Sequence, residues 1–390
     1  MQVIDFQEAS VKKVRHQLLY LIYGDKAAYR HEAKFSILTA LAHGNPSTLP
    51  SIRILTDRPE DYQGWPVETL ALSPQLLTEW QGDNGYIHRR KACAIAAGLA
   101  LAEKTLFVDT DTLFLADPER LFQQIQPGQY LMDSFEYHWD YVCKREDYLK
   151  LGTRLRAHGI TPDNSFKLYN SGLCGVTDND AALLTQAIGL IDEWTEGGFD
   201  IHTIEQIAIS FTLRNQTINE TNKHVYHYFA EKRFFHTMQA HFFAQHGEAF
   251  STQLVERCHD VPRSRPFPSA LRRLKIKWKL RNHSGALHKI GRDLLYGSAA
   301  PEHPYYNLCR HHWWDSASRE ILRLDPERQQ QLFGQLEHWP RHLPESSKAQ
   351  DKPLIMAHLR KRITASGGSM AGRRTIRDGG LGLQCRRSMG

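Results

Sequence analysis

Short apolar runs alternate with stretches of helical spacing along the first two-thirds of the chain. "QLLYLIYGD" (17–25) reads as a strand entering a glycine turn, and "YRHEAKFSILTALAHG" has helical spacing that stops at Gly44. "SIRILTD" (51–57) and "VETLALS" (67–73) are further strands. "YIHRRKACAIAAGLALAE" (86–103) is a long Ala-rich helix, followed by "TLFVDTD", a strand of buried type bounded by acids. "GQYLMDSFEYHW" (128–139) and "FKLYNSGLCGV" (166–176) read as strands. The stretches 179–198 and 204–215 are helical, and 223–247 begins as a strand and becomes a helix. This alternation predicts an α/β sandwich with a mainly parallel central sheet. Ligands of such sheets sit beyond the carboxyl ends of the strands. Asp25, Asp57, Asp109 and Asp111 all fall at such ends.

After about residue 260 the pattern changes. A Pro-rich opening leads into the basic, partly amphipathic stretch 261–292, and the aromatic-rich segment "YYNLCRHHWWDSASREILRLD" follows. The expected division is a core of 1–260, a basic and aromatic, mostly helical extension of 261–345 that packs on the core, and a glycine-rich basic tail of 346–390 without structure.

Charge sharpens this division. The net +6 of the chain hides a core with 24 basic and 33 acidic residues, against ten basic and no acidic residues in 261–292. The extension therefore suits an anionic surface. Within 261–292, Leu271, Leu274, Ile276, Trp278 and Leu280 supply apolar contacts for the face of an anionic membrane. Nothing has the pattern of a nucleic-acid-binding module. No apolar run approaches the roughly 20 residues of a membrane span. The six cysteines are scattered, without a CxxC pair, and the first residues lack a secretory apolar region. A cytoplasmic setting is expected.

Candidate chemistry centres on "KTLFVDTDTLFLADPERLF" (104–122). Two carboxylates one residue apart at a strand end can reach one hard cation such as Mn²⁺ or Mg²⁺, and such an ion can neutralise a diphosphate leaving group. Asp117, followed by Pro118, reads instead as the cap of a short helix. Phosphohydrolases of the haloacid-dehalogenase type also place an aspartate pair after an apolar strand, with a Thr four positions after the nucleophile. Here that position is Leu113, the Thr is one place early at Thr112, and three strands precede the motif.

The same stretch resembles the D-x-D segment of nucleotide-sugar glycosyltransferases of the GT-A fold, most like glycosyltransferase family 8. Three later segments resemble that family in order and rough spacing: "YNSGLCGV" (169–176), "IEQIAIS" (204–210) and "VYHYFAEK" (225–232). The resemblance covers about residues 15–245. It implies a GT-A-type sandwich and transfer of a hexose from a UDP-sugar to a glycan or lipid-linked acceptor, with retention. It further implies metal ligation by Asp109, Asp111 and a late histidine, His227 or its rival His224, and a grip on the diphosphate by Lys232. Tyr23 and Gly24 would lie against the base, and Asp57 on its edge or the ribose. Arg89, Arg90 and Lys91 crowd one helical turn, and one of them, assigned as Arg90, reaches the diphosphate or donor sugar. Asn170 and Asp133 meet donor hydroxyls, while Glu205 and Gln206 face the point where donor and acceptor meet. The alternatives are the phosphohydrolase, with Asp109 as nucleophile, and a degenerate, non-catalytic glycan-binding fold.

Overall fold

The computed structural model describes residues 12–157, 159–196, 198, 201–221, 223–334, 338–345 and 350–367. They form two compact units, one of residues 12–229 and 246–259, the other of 230–245 and 260–367. The division at 260 coincides with the change in composition, but residues 230–245 belong to the second unit.

The first unit is α/β. Its sheet has seven strands: β1 (Val14–Ile22), β2 (Ser51–Thr56), β3 (Glu68–Ala71), β4 (Ala102–Val108), β6 (Gln129–His138), β7 (Lys167–Thr177) and β8 (Thr217–Glu220), in the order β3-β2-β1-β4-β7-β6-β8. β1 to β4 are mutually parallel, β7 is antiparallel to both neighbours, and β6 pairs parallel with β8. Parallel strands between helical layers are buried on both faces. Leu18, Leu19 and Tyr20 of β1 and Leu106, Phe107 and Val108 of β4 are accordingly buried without alternation.

The helices Pro74–Gln81, Arg89–Gly98, Ala181–Glu196 and Ile204–Thr212 share the core with Leu19, Leu55, Phe107, Met132 and Cys174. The helix expected over 86–103 is shorter at both ends, running Arg89–Gly98, and β4 already begins at Ala102. Its last residue, Gly98, lies close against β1: a Cβ there would stand 2.6 Å from Leu19 Cδ2. The helix Ala27–His43 is buried over 32–40 rather than along one stripe. It packs against a small second sheet, in which β5 (Thr112–Phe114) pairs antiparallel with β9 (Val225–His227).

The second unit is helical among the described residues. The helices Lys232–His246, Ala270–Lys279, Gly285–Ala299, His311–Leu322 and Asp351–Gly367 are its longest. Phe234, Phe267, Tyr296 and Trp313 pack ring against ring, with the Arg265 guanidinium over Phe267 and Trp313. The expectation of an unstructured tail from 346 needs correction over 351–367, which is a helix. Ile355, Met356 and Leu359 are buried, an apolar stripe that compositional reasoning about the glycine-rich end passed over. Residues 368–390 lie outside the described residues. No described helix is long and apolar enough to cross a membrane.

Candidate metal and donor site

β4 ends at Val108, and the chain turns through Asp109, Thr110 and Asp111 before β5 begins at Thr112. Local bonds set that turn. The Thr112 hydroxyl donates to the Asp109 carbonyl at 2.9 Å, and the Thr110 hydroxyl donates to Glu32 at 2.9 Å. The intervening Thr is thus tied to the helix Ala27–His43, while both aspartates are left on the other side. The ladder of β5 with β9 then pairs Thr112 with His227, and the Tyr228 amide donates to the Asp111 carbonyl at 3.0 Å. A residue more than a hundred positions away is thereby delivered to the turn. Ligand atoms of Asp109, Asp111 and His227 lie within 4.8 Å of one another.

The imidazole sits between two carboxylates. Nε2 is 3.3 Å from Asp111 Oδ2 and Nδ1 is 2.8 Å from Asp133 Oδ2. Burial works to lower the His227 pKa, but Asp111 and then Asp133 outweigh it and raise it to about 10. His224 is not part of this group: its Nδ1 lies 3.3 Å from the Thr221 carbonyl. Of the two histidines, His227 is the one that stands with the aspartates. Gly172, on β7, closes the back of the ring. A Cβ there would stand 2.2 Å from His227 Cε1 and Nδ1, so only glycine fits.

Of the three adjacent cations, Lys91 reaches this cluster. Its ammonium is 2.8 Å from Asp109 Oδ2 and 3.5 Å from Glu205 Oε1. Burial disfavours its charge, yet Asp109 and Glu205 more than offset that and hold the pKa above the usual lysine range. Asp109 is pushed up by burial and by Asp111, against the pull of Lys91. Arg89 instead pairs with Asp192 at 2.5 Å. Arg90, the expected donor contact, lies over the Tyr23 ring at 4.7 Å and bonds the Leu77 carbonyl and Gln81. Of the three, Lys91 faces the aspartates and Arg90 faces Tyr23, because register on a short helix, and not residue type, decides which side chain points where.

Asn170, Glu205 and Gln206 do come together. Ser171 donates to Glu205 at 2.5 Å, and Gln206 and Asn170 both donate to Glu136, at 2.8 and 2.9 Å. Burial raises the Glu136 pKa, and those two amides partly reverse the rise. Glu136, Ser171 and Gly172 escaped the sequence reading, although the last two stand inside the quoted "YNSGLCGV". Tyr23, Gly24 and Asp57 form a neighbouring group at the ends of β1 and β2. The Gly24 amide, at φ 84°, donates to both Asp57 oxygens at 3.1 Å. Lys232 opens the helix Lys232–His246 of the second unit.

No family model matches the chain, and no curated protein matches it. The site's chemistry must be argued from its donors. Two carboxylates and one imidazole suit Mn²⁺ or Mg²⁺. The 3.3 Å between Asp111 Oδ2 and His227 Nε2 is close to the about 3 Å edge between adjacent ligands of an octahedral ion with bonds of about 2.1 Å. The cluster fits such an ion.

Proposed function

We propose that the chain is a metal-dependent glycosyltransferase of GT-A type that moves a hexose from a UDP-sugar to a glycan or lipid-linked acceptor, with the retention that the family resemblance implies. The observation that carries this reading is the Asp109–Asp111–His227 group at the carboxyl end of β4, ringed by Lys91, Asn170, Glu205 and Gln206. Asp109, Asp111 and His227 hold the Mn²⁺ or Mg²⁺, which supplies positive charge to a departing diphosphate. Asp133 fixes the His227 ring through Nδ1. Lys91 pulls against the rise of the Asp109 pKa and faces the same space, a second positive group for phosphate oxygens. Glu136 orients the amides of Asn170 and Gln206, which present polar groups to sugar hydroxyls. Tyr23, Gly24 and Asp57 receive the nucleoside. Thr112 is buried and engaged with Ser36 and the Asp109 carbonyl, which gives the phosphohydrolase alternative no support.

The test is UDP and UDP-hexose binding by thermal shift with Mn²⁺, with EDTA, and in Asp111→Asn. Stabilisation that needs the metal and vanishes in the variant is expected, roughly 2.7 kcal/mol at a hundredfold excess over Kd. UDP binding that is indifferent to both overturns the proposal. Turnover of a simple phosphate ester that is lost in Asp109→Asn points to the phosphohydrolase. Metal-dependent UDP-hexose binding with no donor hydrolysis or transfer points to a non-catalytic fold.

We further propose that the helix Ala270–Lys279 of the second unit contacts an anionic membrane face. Its apolar residues separate onto opposite sides. Ile276 and the adjoining Leu280 are buried, whereas Leu271, Leu274 and Trp278 are 73%, 64% and 66% exposed. At 3.6 residues per turn the exposed three fall within about 60° of arc. Arg272, Lys275 and Lys279 flank them on one side and Lys277 on the other. An exposed apolar stripe between cations is the form of a helix that lies in a lipid interface. Co-flotation with vesicles containing phosphatidylglycerol, lost in Leu274→Glu, is expected. Equal recovery with neutral vesicles, or with the variant, removes this part of the reading.

A further inference from the structure

The second unit holds a group of side chains that the transferase reading leaves unused. His311 and Asp315 stand four apart on the helix His311–Leu322 and share a face, and His312 reaches the same carboxylate from three positions away. One ligand atom from each of the three lies within 4.8 Å of the others. His312 Nδ1 is 3.2 Å from Asp315 Oδ2. Two ligands of a tetrahedral zinc ion with bonds of about 2.0–2.1 Å are separated by about 3.3 Å. A third histidine arrives from a different element: His358, on the helix Asp351–Gly367, places Nε2 2.9 Å from Asp315 Oδ1.

The outer partners of these rings are those that orient metal-bound imidazoles. His311 Nδ1 donates to the Leu308 carbonyl at 2.9 Å, which leaves Nε2 as its ligand atom. His312 Nε2 is 2.8 Å from the Thr237 hydroxyl, which leaves Nδ1 turned to Asp315. Arg362 Nε is 2.7 Å from Asp315 Oδ1. Together with His358 it holds one carboxylate oxygen and leaves the other facing His312. The set is imidazole-rich, whereas the Asp109 cluster is carboxylate-rich. The two would therefore sort metals differently, with borderline ions such as Zn²⁺ and Co²⁺ here and hard Mn²⁺ or Mg²⁺ there.

We propose that His311, His312 and Asp315 form a second, structural metal site for a zinc-class divalent ion, with His358 as an outer partner that orients the Asp315 carboxylate. Such an ion would brace the helix His311–Leu322, and the bond from His358 to Asp315 would link it to the helix Asp351–Gly367. The competing description is a carboxylate hub held by Arg362 and hydrogen bonds alone.

The test uses the full chain carrying Asp109→Asn and Asp111→Asn, which removes the first site, so the result stands apart from the transferase reading. The protein is stripped with chelator and titrated with Co²⁺. One equivalent is expected to bind with the visible absorption of tetrahedral cobalt, to be displaced by Zn²⁺, and to raise the unfolding temperature. His311→Gln should weaken Co²⁺ by more than the about 10–100-fold lost with an outer partner. His358→Asn serves as an independent second variant, should His311→Gln disturb folding, and circular dichroism establishes that each is folded. A stripped chain that takes up no Co²⁺, or one whose affinity is the same in folded His311→Gln and His358→Asn, overturns the proposal in favour of the hub.

Discussion

His227 carries the sharpest residue-level consequences. Its pKa of about 10 arises because Asp111 and Asp133 outweigh burial, so at neutral pH a proton lies where the proposed ion would bind. Loading the site must expel that proton. Mn²⁺ affinity should therefore rise by about tenfold per pH unit between about pH 6 and 8, and calorimetry in buffers of different ionisation enthalpy should read about one proton released. An affinity flat with pH contradicts the assigned ligand set. The neighbouring glycine gives a steric counterpart. In Gly172→Ala the new methyl meets His227 at 2.2 Å and must displace the ring. Mn²⁺ binding should weaken by about tenfold or more, a cost of about 1.4 kcal/mol, measured by titration against a fluorescent chelator. Unchanged affinity would show that the ring is not a ligand. At this scale the aspartates were legible, because a strand end is a local pattern. That His227 and not His224 stands with the aspartates, and that Lys91 and not Arg90 meets Asp109, was not legible, because each depends on how separate elements pack.

At the scale of elements, the helix Ala27–His43 shows what a period count misses. Burial over 32–40 includes Glu32 and Lys34, which no apolar stripe would place inside. Their partners explain it: Glu32 accepts from Thr110, and Lys34 meets Glu248 at 2.8 Å. Glu248 also binds Arg30 at 2.8 Å and His31 at 3.1 Å, joining this helix to the segment before the helix Thr252–Arg257. The Arg30 hydrogen bond leads, burial opposes it, and Lys34 and His31 add to it, so the Glu248 pKa is held far below the usual glutamate range. A depressed folded-state pKa gives stability that is complete above the unfolded value of about 4.3 and is lost as the pH falls toward the folded value. Urea midpoints should drop below about pH 4.5, and Glu248→Gln should flatten that drop. Because the group is partly exposed, the loss should be about 1 kcal/mol. The same acid sensitivity in Glu248→Gln would assign the effect to other carboxylates.

For the whole molecule, charge is segregated along the chain, with the cations gathered in 261–292 and the acids in the α/β unit. Vesicle binding by the exposed stripe should therefore weaken strongly between 0.1 M and 1 M salt, as the Debye length falls from about 10 Å to about 3 Å. Retention at 1 M salt would mean that Leu271, Leu274 and Trp278 act without their flanking cations. The alternation of strands and helices, the acids at strand ends and the concentration of basic residues can all be read from the linear chain, since each is a pattern of neighbours. Which apolar residues of 270–280 are covered and which are bare cannot, since both sets are leucine, isoleucine or tryptophan and only packing separates them. The meeting of His227 with Asp111, and of His358 with Asp315, likewise belongs to the folded molecule. A two-strand ladder closes the first contact and the approach of two helices the second, and side-chain chemistry along the chain encodes neither distance.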